Sequence, residues 1–428
     1  MICVLVTASA GIASAQPAGD GSDAPPPDIG VSPPVPPVDP APPANVPSST
    51  DEGTRRTNGL AKDVAVDGHP HQPWMFADPE HHLFELDLEM FGTGAYTSRD
   101  GSSLSEFRLD RGELGTVVGL GHYFATELRL ESVRSAAEGG ALGVDGDSIV
   151  IRVKRAQVFG DYDVDKLHLH GAGGITPDPW ITALETDYPL RPLSATASER
   201  VLGWPTSDLA GLGRVAYGPV RLSVSFGNGE GLDYPERNNG KTTTAVVEAE
   251  PLAMAEARLR LAAVARDGSV GPGLVRDRRF GGAATLWTEM VSAGGELVKA
   301  YGIADRGDLE ALALAGWVEV RPLPELAVVG RFTTIGYANG GGRASSFGGA
   351  VALEPWRDTT SLELQHHPDQ AGRCYAHCPK DAIGNIRLWL ALDHTTSSGT
   401  AMPIPGADAG AATTLLVIVS TTAPITID

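Results

Sequence analysis

The sequence predicts an all-β protein, a transmembrane up-and-down antiparallel β-barrel of about 16 strands. Three observations predict this fold. Segments of about ten residues alternate apolar and polar side chains, the period of a β-strand. The connections between these segments are alternately short and long, as in outer-membrane barrels. No apolar run approaches the ~18 residues that a transmembrane helix needs, so a membrane would be crossed by strands.

The N-terminal region is expected to precede the barrel. Residues 1–15 have the apolar run and final small-x-small site of a secretory signal, although the usual basic start is missing; the alternative is that they are not a signal. Residues 16–50 form a Pro-rich segment that cannot pack a core and is predicted to be a disordered linker. A polar pre-barrel segment, 51–83, leads to the predicted barrel, 84–428.

The first barrel strand shows the pattern most clearly. In "FELDLEMF" (84–91), the acidic residues alternate with apolar ones. In an open soluble sheet the charged face would meet solvent, whereas in a membrane barrel it would line a water-filled lumen. Charged residues recur on one face of many strands, and the opposite face carries few large apolar residues. Both features favour a charged face that lines a water-filled lumen over one that meets bulk solvent. A soluble β protein is the alternative.

The connections set the expected number of strands. Short ones such as 292–295 alternate with longer polar ones such as 135–147. This spacing predicts 16 strands between 84 and 394, including one at 361–365. The apolar run 415–419 would add a seventeenth, which an even-numbered barrel does not accommodate.

The charged faces of the strands and the longest connection supply the candidate pore residues. Connection 176–208 is expected to fold inward and narrow the lumen, where charged groups set ion selectivity; an external lid is the alternative. The acidic strand 84–91 is expected to form a wall opposite the basic residues. The candidate pore-lining and constriction residues are Glu85, Asp87, Glu89, Arg108, Arg129, Arg152, Lys154, Arg191, Arg200, Arg258, Arg260 and Arg387.

Two stretches resemble a known family. The run "SERVLGWPTSDLAGLGRVAYGPVRLSVSFGNGEG" (198–231) is similar to the middle of the phosphate-selective porin O and P family, where a Glu-Arg loop leads to a strand pair ending in an Asn-Gly-rich loop. The stretch "FRLDRGELGTVVGLGHYFATELRLE" (107–131) resembles that family's first hairpin. The resemblance implies a 16-stranded porin, usually a homotrimer, that passes anions.

Other chemistries are disfavoured by composition and motifs. A net charge of −20 argues against a nucleic-acid partner, which would require a basic surface. No catalytic signature is present, so no enzyme activity, cofactor or metal is expected. Cys374 and Cys378 are expected to form a disulfide, because an exported protein lies in an oxidising compartment. Free thiols and a metal site involving the neighbouring histidines are the alternatives.

These expectations combine into one functional hypothesis. The chain is expected to be a porin of the bacterial outer membrane, allowing passive diffusion of small, anionic solutes through a charged lumen. Its partners would be the lipid bilayer and small ionic solutes. The alternative is a barrel without a channel that acts as a surface adhesin or structural anchor.

Overall fold

The part of the chain that the structure describes forms a closed β-barrel. The computed structural model describes the ranges 84–99, 102–120, 124–134, 149–164, 166–191, 193–231, 239–254, 257–271, 274–288, 290–303, 307–323, 325–338, 342–354, 385–398 and 410–427. The side chains of a few strand residues, among them Glu85, Asp87 and Arg108, fall outside this description.

The barrel has two helices and 16 strands. The first eight strands are β1 (Phe84–Arg99), β2 (Ser102–Gly119), β3 (Phe124–Arg134), β4 (Ile149–Val164), β5 (Leu167–Pro177), β6 (Ser207–Tyr217), β7 (Val220–Gly227) and β8 (Thr242–Ala253). The others are β9 (Ala257–Val270), β10 (Val275–Thr288), β11 (Val291–Tyr301), β12 (Glu310–Leu323), β13 (Leu326–Tyr337), β14 (Arg343–Leu353), β15 (Asn385–Ser398) and β16 (Gly410–Ile427). The helices, both between β5 and β6, are α1 (Pro179–Glu185) and α2 (Ala197–Leu202).

Each strand pairs with its sequence neighbours, and β16 closes the ring against β1. The predicted class, an antiparallel 16-stranded barrel, is therefore confirmed. The prediction of which segments supply the strands was wrong at one point. Fifteen of the described strands, one fewer than predicted, lie between Phe84 and Ser398, and β14 pairs directly with β15. The predicted strand at 361–365 lies outside the described residues. The run 415–419 belongs to β16 and completes the even count.

Successive connections lie at alternate ends of an up-and-down barrel. The β5–β6 connection, which carries both helices, lies at the same end as the β9–β10 and β11–β12 connections. β14 ends and β15 begins at the other end of the barrel, with the short turns such as 218–219. Cys374 and Cys378, between these two strands in the sequence, are outside the described ranges, so the disulfide stays a prediction.

The predicted turn at 292–295 is wrong, because these residues lie within β11 and the turn is at 289–290. Gly294 pairs with Trp317 on β12. A Cβ atom at Gly294 would lie 2.8 Å from the Trp317 ring, so the glycine provides room for a large neighbour. Glycine in a strand often marks such a close approach.

The two faces of the strands differ as the alternation predicted. On β7, Val220, Leu222, Val224 and Phe226 are exposed, whereas the serines between them are buried. The leucines at apolar positions of the alternation that are exposed include Leu88, Leu128, Leu261, Leu388 and Leu390. The barrel thus has an apolar outer surface and a polar inner one. Among the described residues, no helix is long and apolar enough to cross a membrane.

A β-bulge interrupts the alternation on β4. Arg129 pairs with Arg155 and Leu130 with Val153, so Lys154 is the extra residue. A bulge changes the direction of nearby side chains. As a result, the adjacent residues Lys154 and Arg155 both contact glutamates on the polar face.

Candidate functional site

The β5–β6 connection is ordered by capped helices. Asp178 caps α1, accepting hydrogen bonds from the backbone N–H groups of Trp180 (2.8 Å) and Ile181 (3.3 Å). Thr196 caps α2 through its hydroxyl, which accepts from the Glu199 N–H. Gly203 ends α2 in the left-handed conformation (φ 60°), which favours glycine. These short helices therefore have local stop and start signals in the sequence.

A single carboxylate on β11 fastens α2 to the barrel wall. Glu296 Oε1 accepts the Ala197 N–H at 2.6 Å. Its Oε2 accepts the Ser198 hydroxyl at 2.5 Å and the Ser198 N–H at 3.2 Å. The first N–H groups of a helix have no partner within the helix, so this buried carboxylate satisfies donors that would otherwise be unpaired.

The residues between the helices form ion pairs with the barrel wall at two places. Asp187 contacts Arg258 at 2.6 Å and Arg260 at 3.2 Å, both on β9. Arg191 contacts Glu113 on β2 at 2.7 Å and Glu89 on β1 at 3.8 Å. One connection thus joins strands that are far apart in the ladder.

Glu113 is the centre of a charged cluster on β2, β3 and β4. Its carboxylate is 2.6 Å from Lys154 Nζ and 3.3 Å from Arg129 Nη1, in addition to the contact with Arg191. Glu131 holds Arg111 at 2.8 Å and Arg152 at 2.8 Å. The expected separation into acidic and basic walls is therefore wrong for these side chains, because the two signs are interleaved on the same strands.

Trp204, at the end of the connection, packs between two arginines. The guanidinium carbons of Arg266 and Arg279 are 5.6 Å and 5.0 Å from the ring centroid, within the range of cation–π attraction. Asp277 contacts both cations, at 3.2 Å and 2.8 Å, and Asp178 contacts Arg266 at 3.4 Å. The two ends of the β5–β6 connection, at Asp178 and Trp204, are thereby held against β9 and β10.

Apolar contacts hold the connection on a further side. Leu190 is fully buried in a cluster with Trp389 on β15 and Ile418 on β16. The Tyr188 ring meets the Trp317 ring edge-on, with the centroids 6.3 Å apart. The connection therefore touches the wall through both ion pairs and apolar packing.

A small cavity remains beside the helices. It has a volume of about 30 Å³, enough for one or a few water molecules. Its lining includes Arg260, Arg331, Glu296, Thr196 and Thr333. The charged groups of the lining are all engaged, because Glu296 bonds to α2, Arg260 contacts Asp187, and Arg331 contacts Asp393 at 2.9 Å.

The structure brings together most of the predicted pore residues that it describes. Arg129, Arg152, Lys154, Arg191 and Glu89 belong to the cluster around Glu113 and Glu131, and Arg258 and Arg260 hold Asp187. Arg200 donates to Ser194 Oγ at 3.1 Å. Arg387 lies apart, paired with Glu354 at 3.2 Å. Whether these residues line a conducting path stays a prediction.

Sequence reasoning missed several residues of the site. Arg111 and Glu113 lie on a strand already quoted for its charges, and Glu127 and Glu131 were visible on the polar face of β3; the alternation could have identified all four. Glu296 follows two glycines and gives no local signal. Its role depends on α2, because its contact Ser198 is 98 residues distant from Glu296 in the sequence.

One carboxyl of the connection is expected to make stability depend on pH. Burial raises the pKa of Glu199 above its ordinary value of 4.5, and Glu185 adds to this, although Arg111 opposes it. Protonation therefore stabilises the folded state. This contribution is complete below pH 4.5 and is lost as the pH rises through the raised pKa. Glu199→Gln should remove this dependence and be the more stable protein at neutral pH. Urea unfolding midpoints measured across pH test this, and parallel profiles would contradict it.

Comparisons with known proteins give the same fold. No family model matches the chain, and no curated protein matches its sequence. An anion-selective porin from Comamonas acidovorans superposes with a TM-score of 0.50 at 12% identity, covering 79% of this chain and 99% of that one. OmpT of Vibrio cholerae gives 0.46 at 9% identity, with 79% and 98% covered. OccK9 (OpdG) of Pseudomonas aeruginosa gives 0.44 at 11%, with 81% and 99% covered. At such identities the likeness to the first of these shows the barrel fold alone.

Proposed function

We propose that this chain is a porin of the bacterial outer membrane that lets small, anionic solutes diffuse through a narrow, charged lumen. The outer surface supports a membrane location, because its strands present exposed leucine, valine and phenylalanine side chains. A closed barrel leaves no unpaired strand edge in the bilayer, where each unpaired backbone group is costly. The polar inner face suits a water-filled interior.

The single observation that carries the proposal is the reach of the β5–β6 connection. Asp187 contacts β9 and Arg191 contacts β1 and β2. β1 and β9 are eight strands apart, half of the circumference. The four peptide steps between the two residues span at most about 14 Å. A segment this short reaches opposite walls by passing through the interior, so we infer that it narrows the lumen.

An arginine of the connection supports a preference for anions, because the cations that line the cavity are already paired. Arg260 contacts Asp187, and Arg331 contacts Asp393. Arg200 lies on the same connection, and among the described residues it has no carboxylate within ion-pair distance. In a narrow passage with low-dielectric walls, such cations attract anions more strongly than on an open surface.

Reversing the charge of Arg200 tests the preference. In a salt gradient across a bilayer containing single channels, the parent protein should give a reversal potential of the sign for anion selectivity. Arg200→Glu should shift it toward cations, and Arg200→Gln should lie between the two, because each step lowers the net charge of the passage by one unit. Identical reversal potentials in all three proteins would place the selective site elsewhere and contradict the proposal.

The membrane location predicts the cost of a charge on the outer face. Leu128→Arg should lower the free energy of unfolding by ~2–4 kcal/mol, the cost of a cation near the middle of the bilayer. Leu128→Phe, which keeps the site apolar, is the control. Urea unfolding of the barrel in liposomes gives both values. Equal stability of the arginine and phenylalanine variants would show that Leu128 does not face lipid.

The tight packing of the connection favours a second candidate. Leu190, Trp180 and Trp204 are almost fully buried, and the cavity beside the helices is small. A barrel filled in this way would suit a structural anchor or adhesin without a channel. The conductance measurement separates the two, because an anchor would give no ion current.

The homotrimer implied by the family resemblance also stays a prediction. The molecular mass of the protein in detergent solution tests it.

A further inference from the structure

The charged side chains on the outer face of the barrel are confined to one region. Among the strand residues whose side chains the structure describes, six charged ones share the face of the exposed apolar side chains, and all six lie toward the end that carries the β5–β6 connection. They are Asp267 on β9, Arg276 and Arg278 on β10, Lys299 on β11, Glu310 on β12 and Arg343 on β14. The rest of this outer face is apolar or uncharged, so the region is a local exception.

Two ion pairs flank the centre of this region. Arg276 makes a bidentate contact with Asp267, with distances of 2.9 Å and 2.6 Å. Lys299 donates to Glu310 at 2.8 Å. Arg278 lies between them, opposite Asp267 on one side and Tyr301 on the other. The two acids are therefore engaged by cations at the edges of the region.

Arg278 itself has no carboxylate within ion-pair distance among the described residues. Its guanidinium lies 5.9 Å from the Tyr301 ring centroid, and Lys299 Nζ lies 5.0 Å from the same ring. The tyrosine thus holds two cations side by side. With three cations and two acids, Arg278, Lys299 and Arg276 leave one positive charge without a counter-charge.

Apolar side chains continue directly from the charged region. Phe280 follows Arg278 on the same face of β10. Leu297 lies on the neighbouring strand β11 and Leu312 on the next strand, β12; each of the three side chains is about half exposed. A ligand at Arg278 would therefore meet cations at one end and an apolar surface at the other. That combination matches an amphiphile and does not match a soluble anion.

We propose that Arg278, Lys299 and Tyr301 form a binding site for the phosphate head group of a membrane lipid whose acyl chains lie along Phe280 and Leu312. The proposal rests on the membrane location given under the proposed function. Cations close to a membrane surface attract anionic lipid head groups. Arginine suits phosphate because its guanidinium can donate two parallel hydrogen bonds, and tyrosine is common at the boundary between apolar and aqueous layers.

Native mass spectrometry of the barrel in a neutral detergent tests the site, with diphosphoryl lipid A as the probe. The parent protein should bind one lipid with highest affinity. Arg278→Gln and Lys299→Gln should each weaken this binding roughly tenfold, the effect of losing one charge-assisted hydrogen bond. Arg343→Gln is the matched control, because Arg343 is an outward cation at the same end whose Nε donates to Thr334 on β13.

Three results would overturn the proposal. One is equal lipid affinity of Arg278→Gln and Arg343→Gln. Another is displacement of the lipid by inorganic phosphate, which would indicate a site for soluble anions. The third is a parent protein that retains no lipid. Circular dichroism of each variant confirms that the barrel has folded. Conductance is measured separately in a neutral bilayer, so failure of the lipid site and failure of the porin function give different results.

Discussion

Replacing Glu113 by glutamine is expected to lower the free energy of unfolding of the barrel by about 3–5 kcal/mol, as for a buried ion pair that loses one partner. Only 1% of the Glu113 side chain is exposed, and its carboxylate serves Lys154, Arg129 and Arg191 together. The substitution preserves size and removes the charge. Three cations would then remain close together with one fewer counter-charge, and burial of Lys154 would limit its hydration.

Urea unfolding of the barrel, followed by tryptophan fluorescence, measures this loss. The matched control is Glu310→Gln, which removes a carboxylate from a partly exposed ion pair with Lys299 and should cost less than about 1 kcal/mol. Glu199→Gln is the internal comparison, because burial already disfavours the charged form of that carboxyl. If all three variants unfold at the same urea concentration, Glu113 does not organise the charged cluster.

The barrel was predictable because its signal is local. A two-residue alternation repeated over many segments is visible in the sequence, and it correctly assigned the outward leucines of β1, β3, β9 and β15 and the charged faces opposite them. The bulge at Lys154 was not predictable in this way. The shift in alternation that an extra residue causes can be recognised only when the pairing partners are known. Here the pairing of β3 with β4 brings Arg129 and Arg155 together.

The contacts between the β5–β6 connection and distant strands were also beyond sequence reasoning. The connection 176–208 was recognised by its length and charges, but the partners of those charges depend on where the ring closes. The pairing of Asp187 with β9 and of Arg191 with β2 follows from the closed topology. Gly294 illustrates the opposite error, because a glycine pair that resembles a turn instead accommodates the Trp317 ring inside the sheet.

If the β5–β6 connection narrows the lumen as proposed, its removal is expected to raise the single-channel conductance several-fold. The change replaces residues 179–203, which include both helices, Asp187 and Arg191, by a short Gly-Ser linker. The linker cannot reproduce the contacts with Glu296, Arg258 and Glu113. With the connection gone, water fills the space that Trp180 and Leu190 occupied, and a 16-stranded barrel is wide enough to hold an aqueous channel. The barrel wall keeps its closed hydrogen-bond ladder, so the strands remain.

Planar-bilayer recordings give the conductance, and exclusion of neutral polymers of graded size gives the pore radius. Arg191→Gln is the graded comparison. It removes the ion pairs of Arg191 with the barrel wall and keeps those of Asp187 with Arg258 and Arg260. It should give an intermediate conductance or more frequent transitions between levels. Unchanged heat-dependent migration on a gel shows that each variant is a folded barrel. A linker variant with the conductance and polymer cut-off of the parent protein would mean that the connection does not narrow the pore. The narrowest part of the ion-conducting path would then be formed by other residues of the barrel wall.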